Sequence, residues 1–182
     1  MTEEGLVAST QIFAFLDFDG VTHPWQEVED FRCLPIFEEV VREFDELRVV
    51  ITSDWRTLYS LPKLRARFSE DIRSRIVGTT PLILPKGGGN MYGLREREAR
   101  QWLLQHSAND IHWLAIDDAP GNWPTRSRLL LTDFKRGFTV EDAERMRRMV
   151  VAMREGRWHG EGHGDSDPNG FWNWPVFTDG AA

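Results

Sequence analysis

Two pairs of aspartates have the types and spacing to do chemistry. Asp17 and Asp19 stand in Asp17-Phe18-Asp19-Gly20-Val21, directly after the apolar run Ile12-Phe13-Ala14-Phe15-Leu16. Asp117 and Asp118 close a second such run, Ile111-His112-Trp113-Leu114-Ala115-Ile116. Carboxylates this close repel one another unless a cation or a phosphoryl group lies between them. Hard oxygen donors grouped in this way suit Mg²⁺, which keeps several waters and binds one or two carboxylates together with phosphate. The chemistry indicated is metal-assisted phosphoryl transfer, with one carboxylate as nucleophile and the other as proton donor and acceptor. An Asp-Gly turn and a backbone-bonded Asp-Asp loop are the inert readings of the same residues. Two acidic pairs, each at a strand end, favour the reactive one.

Positioning such groups requires a sheet. A continuous apolar run closed by Gly reads as a buried strand of a parallel sheet, expected over 11–17. In open α/β sheets ligands bind at the C-terminal ends of strands. On an ideal strand Asp17 and Asp19 leave the same face, and Gly20 permits a sharp turn after them. His23 and Trp25 follow in a loop where they could contact substrate, or where His23 could simply bond to backbone. Pro35 in a first turn, then Ile36, Phe37, Val40, Val41, Phe44 and Leu47, predict a helix over about 35–46. Arg48–Ser53 reads as the second strand. Its terminal hydroxyls, Thr52 and Ser53, could bond a phosphoryl oxygen, or with Asp54 could cap the next helix. Arg56 stands just past that edge, in reach of an anion. Leu58, Leu61, Leu64 and Phe68 continue as a helical stripe, broken or restarted at Pro62.

A short strand begins at Ile76. Leu82 to Gly93 reads as a loop, with Lys86 before Gly87-Gly88-Gly89 as a second candidate phosphate contact. The helix from Leu94 to Leu104 carries Arg95 in its first turn, where the helix dipole disfavours a cation. A nearby anion or acidic site would explain it; a solvated side chain is the alternative. A last strand, 128–132, precedes a helix capped by Thr139, with Val140, Ala143, Met146, Val150 and Met153 inward and Gly156 as stop. The fold class is α/β, a Rossmann-like three-layer sandwich around a mostly parallel sheet in one domain, 1–156. A Trp- and Gly-rich tail, 157–182, follows. Its His159 and His163 lie among glycines and do not read as a metal site. Its aromatics are expected to dock on the domain or on a second copy, giving a homo-oligomer.

Composition narrows the function. With 41% hydrophobic and 28% charged residues the chain is of the soluble globular class. A net charge of -7 argues against a general nucleic-acid binder, though not against a local basic patch. No apolar run approaches the ~18 residues that span a membrane. Glu3 and Glu4 stand where a signal peptide would be basic, and the single Cys33 suits a reducing compartment, so the expected location is cytoplasmic.

Taken in order, Asp17-Phe18-Asp19-Gly20-Val21, Thr52-Ser53-Asp54-Trp55-Arg56, Gly78-Thr79-Thr80-Pro81, Arg95…Trp102-Leu103 and Ile116-Asp117-Asp118 resemble the haloacid dehalogenase (HAD) superfamily of aspartate-nucleophile phosphohydrolases. More narrowly they resemble the small HAD domains of bacterial RNA-repair (Swiss Army Knife) proteins, over roughly 12–140. The resemblance implies Asp17 as nucleophile, Asp19 as acid/base and Thr52 as phosphoryl-binding hydroxyl. Arg95 stands where most members have Lys, with Lys86 as rival. The implied Mg²⁺ ligands are Asp17, the backbone carbonyl of Asp19 and one of Asp117 and Asp118. The short inserts imply a minimal cap or none. An open site of that kind suits a phosphate at a polymer end, or on a nucleotide or protein, better than an enclosed metabolite. The competing expectation is a catalytically silent domain of the same scaffold that acts through a partner surface.

Overall fold

A computed structural model describes residues 11–27, 30–84, 91–106 and 112–158. Lys86 and the tail residues 159–182, with His159 and His163, lie outside the described residues. Five strands form one sheet: β1 (Ile12–Leu16), β2 (Leu47–Ile51), β3 (Ile76–Thr79), β4 (His112–Asp117) and β5 (Leu129–Leu131). All neighbours pair in parallel, in the order β3-β2-β1-β4-β5. Leaving β1, the chain builds outward through β2 and β3, then crosses back to place β4 on the other side. The switch of direction lies between β1 and β4, where open α/β sheets leave a crevice at their C-terminal edge.

Alternation along β1 assigns the two faces. Ile12, Ala14 and Leu16 enter one core cluster with α1 (Leu34–Glu43) and α4 (Val140–Arg154), while Phe13 and Phe15 enter the other. This second face is covered by α3 (Leu94–His106), whose Ala99, Trp102 and Leu103 pack on it. Among the described residues α3 is the one helix on this face, and the indoles of Trp113 and Trp123, with that of Trp102 from α3 itself, surround Phe15. Three of the chain's eight Trp are therefore core residues of one layer.

Several boundaries differ from the sequence reading, each for a local reason. Leu47 opens β2, paired with Ile12, and does not continue the helical stripe; α1 stops at Glu43 and Phe44 takes an extended backbone. After β2 comes a single 3₁₀ turn, Asp54–Thr57, capped by Ser53, whose hydroxyl accepts from the Trp55 N–H. The helical stripe fails at Leu58, which is 76% exposed, because α2 (Leu61–Arg65) starts afresh with Pro62 in its first turn. Val140 is 62% exposed: as the first residue of α4 it precedes the stripe, and Thr139 with Asp142 forms the capping box. Between β1 and β2 the described residues hold only α1 as a helix, and no cap module occurs among the described residues.

Candidate active site

Register brings the key residues to one level. Leu16 pairs with Ile51 on one side and Ile116 on the other, so Asp17, Thr52 and Asp117 are the corresponding positions on three adjacent strands. Backbone bonds carry the ladder past the strand ends. The Asp17 N–H donates to Ile116 O (3.0 Å), that of Thr52 to Leu16 O (2.9 Å) and that of Thr80 to Ile51 O (3.0 Å).

Asp17, Asp117 and Asp118 each offer a carboxylate oxygen, all within 4.8 Å of one another. The Asp17 carboxylate accepts from the Phe18 N–H (2.8 Å). Asp117, buried at the end of β4, accepts from the Ala119 N–H and from the Trp123 indole, both at 2.7 Å. Burial and the charge of Asp117 hold the Asp17 carboxyl well above the usual carboxylate range, with Arg95 opposing the rise. Asp117 is raised by burial, against its own hydrogen bonds and Arg95. Asp118 is raised to about 6, by burial and then by Asp117. Three acids that resist ionisation together are what a divalent cation would relieve, and their donor set of hard oxygens fits Mg²⁺. Gly20 completes the cradle. It has φ +69°, and a Cβ there would fall on the Asp118 carboxylate, so only glycine allows the turn and the acid to coexist.

Asp19 leaves the cluster. One of its oxygens accepts from the Trp55 indole N–H (3.0 Å), and the other lies 3.6 Å from His23 Nε2. His23 is fully buried, and its Nδ1–H donates to Pro24 O (3.1 Å), so it is a wall of the site with a backbone bond; Trp25 is exposed. The turn after β1 is pinned from several sides. Thr132 Oγ1 donates to Gly20 O (2.8 Å), the Phe138 N–H to Val21 O (2.7 Å), the Cys33 N–H to Thr22 O (3.0 Å) and the Trp25 N–H to Phe134 O (2.9 Å).

On the β2 side, the Thr52 hydroxyl is fully buried and has no hydrogen-bond partner. An orphaned buried hydroxyl is costly, and it is free to donate to an incoming oxygen. Thr80, at the end of β3, carries a second such hydroxyl that sequence reading missed. Arg95 reaches the site from the first turn of α3, bridging Asp54 (2.8 Å) and Glu98 (3.2 Å), and its charge opposes the rise in pKa of Asp17 and Asp117. The first-turn cation thus has acidic neighbours.

Arg56 departs from expectation. Its side chain is 2% exposed and its guanidinium is engaged throughout: Nη1 donates to Thr52 O and Ser53 O, Nε to Thr80 O (3.2 Å), and Nη2 pairs with Glu98 (2.6 Å). It ties the ends of β2 and β3 to α3 and does not present itself to an anion. Ser53 likewise serves as the cap of its turn.

A family model described as the HAD domain in Swiss Army Knife RNA repair proteins matches residues 13–143, a span that contains every residue of this site. No curated protein and no solved structure gives a match.

Proposed function

The chain belongs to the HAD domains of Swiss Army Knife RNA repair proteins, and on that premise we propose that it is a Mg²⁺-dependent phosphatase working through an aspartyl-phosphate, with nucleotide or nucleic-acid-end phosphates as substrates. The observation that carries this reading is the meeting of three carboxylates with a buried, partnerless Thr52 hydroxyl and a part-buried Arg95 at one sheet edge. Acids alone would read as a cation site. Acids facing a hydroxyl donor and a guanidinium read as a site for a phosphoryl group held by a cation from one side and donors from the other.

In the first step an Asp17 oxygen attacks phosphorus, the ester P–O bond breaks, and Asp19 gives its proton to the departing oxygen. In the second, Asp19 takes a proton from water as that water attacks the phosphorus, releasing inorganic phosphate and restoring Asp17. Thr52 and Arg95 donate to the equatorial oxygens, where charge concentrates. Trp55 holds the Asp19 carboxyl in place. Asp17, the Asp19 carbonyl and the Asp117–Asp118 pair would hold Mg²⁺, which when bound neutralises phosphoryl charge and permits Asp17 to stay ionised. The family description supports the nucleic-acid side of the substrate class, and the small insert between β1 and β2, with α1 as the one helix among its described residues, supports a substrate larger than a metabolite.

Hydrolysis of an aryl phosphate, with and without Mg²⁺ and beside D17N, tests the reaction. Mg²⁺-dependent turnover, lost by at least about 10³-fold in a folded D17N, is expected. Turnover retained in D17N would overturn the mechanism, and none in the wild type would favour a silent binding domain.

A further inference from the structure

A general acid must reach the leaving oxygen directly or through one water. Under the phosphatase reading, on which this inference rests, the leaving group therefore departs past Asp19. The surface beside Asp19 is distinctive. Trp55, whose indole holds Asp19, packs against Phe31 (ring centroids 5.4 Å apart) and Tyr59 (5.5 Å). The Arg67 guanidinium lies over all three rings, at 5.2 Å from Phe31, 5.3 Å from Trp55 and 5.9 Å from Tyr59. Arg67 is exposed, and no carboxylate among the described residues is paired with it. One indole ring separates this cation from the acid/base. Contacts with ring faces hold a guanidinium without using its N–H donors, which stay available to an oxyanion. Phe31 contributes at a cost: its φ of 49° is rare for a bulky side chain, and it sets the ring between His23 and Arg67.

The cavity of about 570 Å³ beside Asp118 is the rival exit. Its cations are largely balanced by its own acids, with Arg145 on Asp142 (3.0 Å) and Arg136 near Glu141 (3.8 Å), and it adjoins Asp118 where Asp19 turns away toward Trp55. Charge and position both favour the Arg67 side.

We propose that Arg67 receives a second phosphate carried by the leaving group. The site then prefers a phosphomonoester whose neighbour along the molecule is another phosphate, as in a nucleoside 3′,5′-bisphosphate or at the phosphorylated end of a strand.

KM is measured for an aryl phosphate, nucleoside monophosphates, nucleoside 3′,5′-bisphosphates and trinucleotides phosphorylated at the 3′ or 5′ end, in wild type, R67K and R67Q. In the wild type the substrates with a second phosphate should have the lower KM. R67Q should raise their KM about tenfold relative to that of the aryl phosphate, with partial recovery in R67K. Preference for the trinucleotide over the bisphosphate identifies a strand end; the reverse identifies a free nucleotide; either supports the assignment. A merely structural Arg67 would shift all substrates together and lower Tm, and that result overturns it. Calorimetric titration of D17N and D17N/R67Q with the bisphosphate separates the two readings. Equal affinities overturn the role of Arg67 even if the aryl phosphate is hydrolysed. A loss of affinity in D17N/R67Q upholds that role even if no substrate is turned over and the phosphatase reading falls.

Discussion

The two halves of the sheet edge carry opposite kinds of polar group. Around β1 and β4 the site is acidic, and its groups are short: carboxylates fixed by nearby N–H donors and by Trp123, each with its pKa pushed up. Around β2 and β3 it is made of hydroxyls and guanidinium groups, with two buried hydroxyls left without partners. In the first half the acids crowd one another; in the second the guanidinium groups are paired with Glu98 and Asp54 while the hydroxyls are not bonded. The difference teaches that burial alone does not identify a functional group; what matters is whether its bonding capacity is already used. Arg56 and Arg95 show this within one pair. Both bind Glu98, but Arg56 also donates to three carbonyls, whereas Arg95 also pairs with Asp54 and its charge opposes the raised pKa of both Asp17 and Asp117.

The largest effect should come from separating those two arginines. R56M should cost about 3 kcal/mol of stability, because buried Glu98 loses one of its two arginines and three carbonyls lose the guanidinium. R95Q should instead lower kcat/KM by about 10²-fold with a much smaller change in Tm. Denaturant unfolding and steady-state kinetics on both variants check this, and interchanged outcomes would break the contrast. T52V comes next. It removes a hydroxyl that has no partner, so stability should hold or rise slightly while kcat/KM falls by about 10- to 100-fold. A destabilised T52V would mean that the hydroxyl is structurally satisfied.

The smallest effect is a pH dependence in the acidic half. The folded-state pKa of Asp118 lies at about 6, above its ordinary 3.8, so folding takes up protons between those values. Its stabilising contribution in the metal-free protein is full below 3.8 and is lost as pH rises through 6. Mg²⁺ replaces the proton, so the rise in Tm on adding Mg²⁺ should be greater at pH 7.5 than at pH 5. Thermal scans in EDTA and in Mg²⁺ at both pH values test this, and equal shifts would show that mutual repulsion does not govern the cluster.

How legible this was depended on range. The acids could be read because each closes an apolar strand, and parallel register then puts strand ends together. The fold class followed from the same runs. The commitment of Arg56 to Glu98, 42 residues away, left no trace in spacing, and Arg56 therefore looked available. Thr80 looked like a turn residue, since an unsatisfied hydroxyl is a property of its surroundings. Leu47, Leu58 and Val140 were apolar at helical spacing, but chain direction had already changed at the first two and the helix had only begun at the third.

The pins on the turn after β1 carry a consequence for the order in which the protein becomes competent. Gly20 and Val21 are held by Thr132 and Phe138, more than a hundred residues further on. During synthesis Asp17 leaves the ribosome more than a hundred residues ahead of these two pins, and the turn that aims it is fully held only after the fifth strand and the start of α4 have followed. A nascent chain that already displays Asp17 and Asp19 is therefore still inert. Activity should switch on late and all at once, as the last third of the domain locks onto the first.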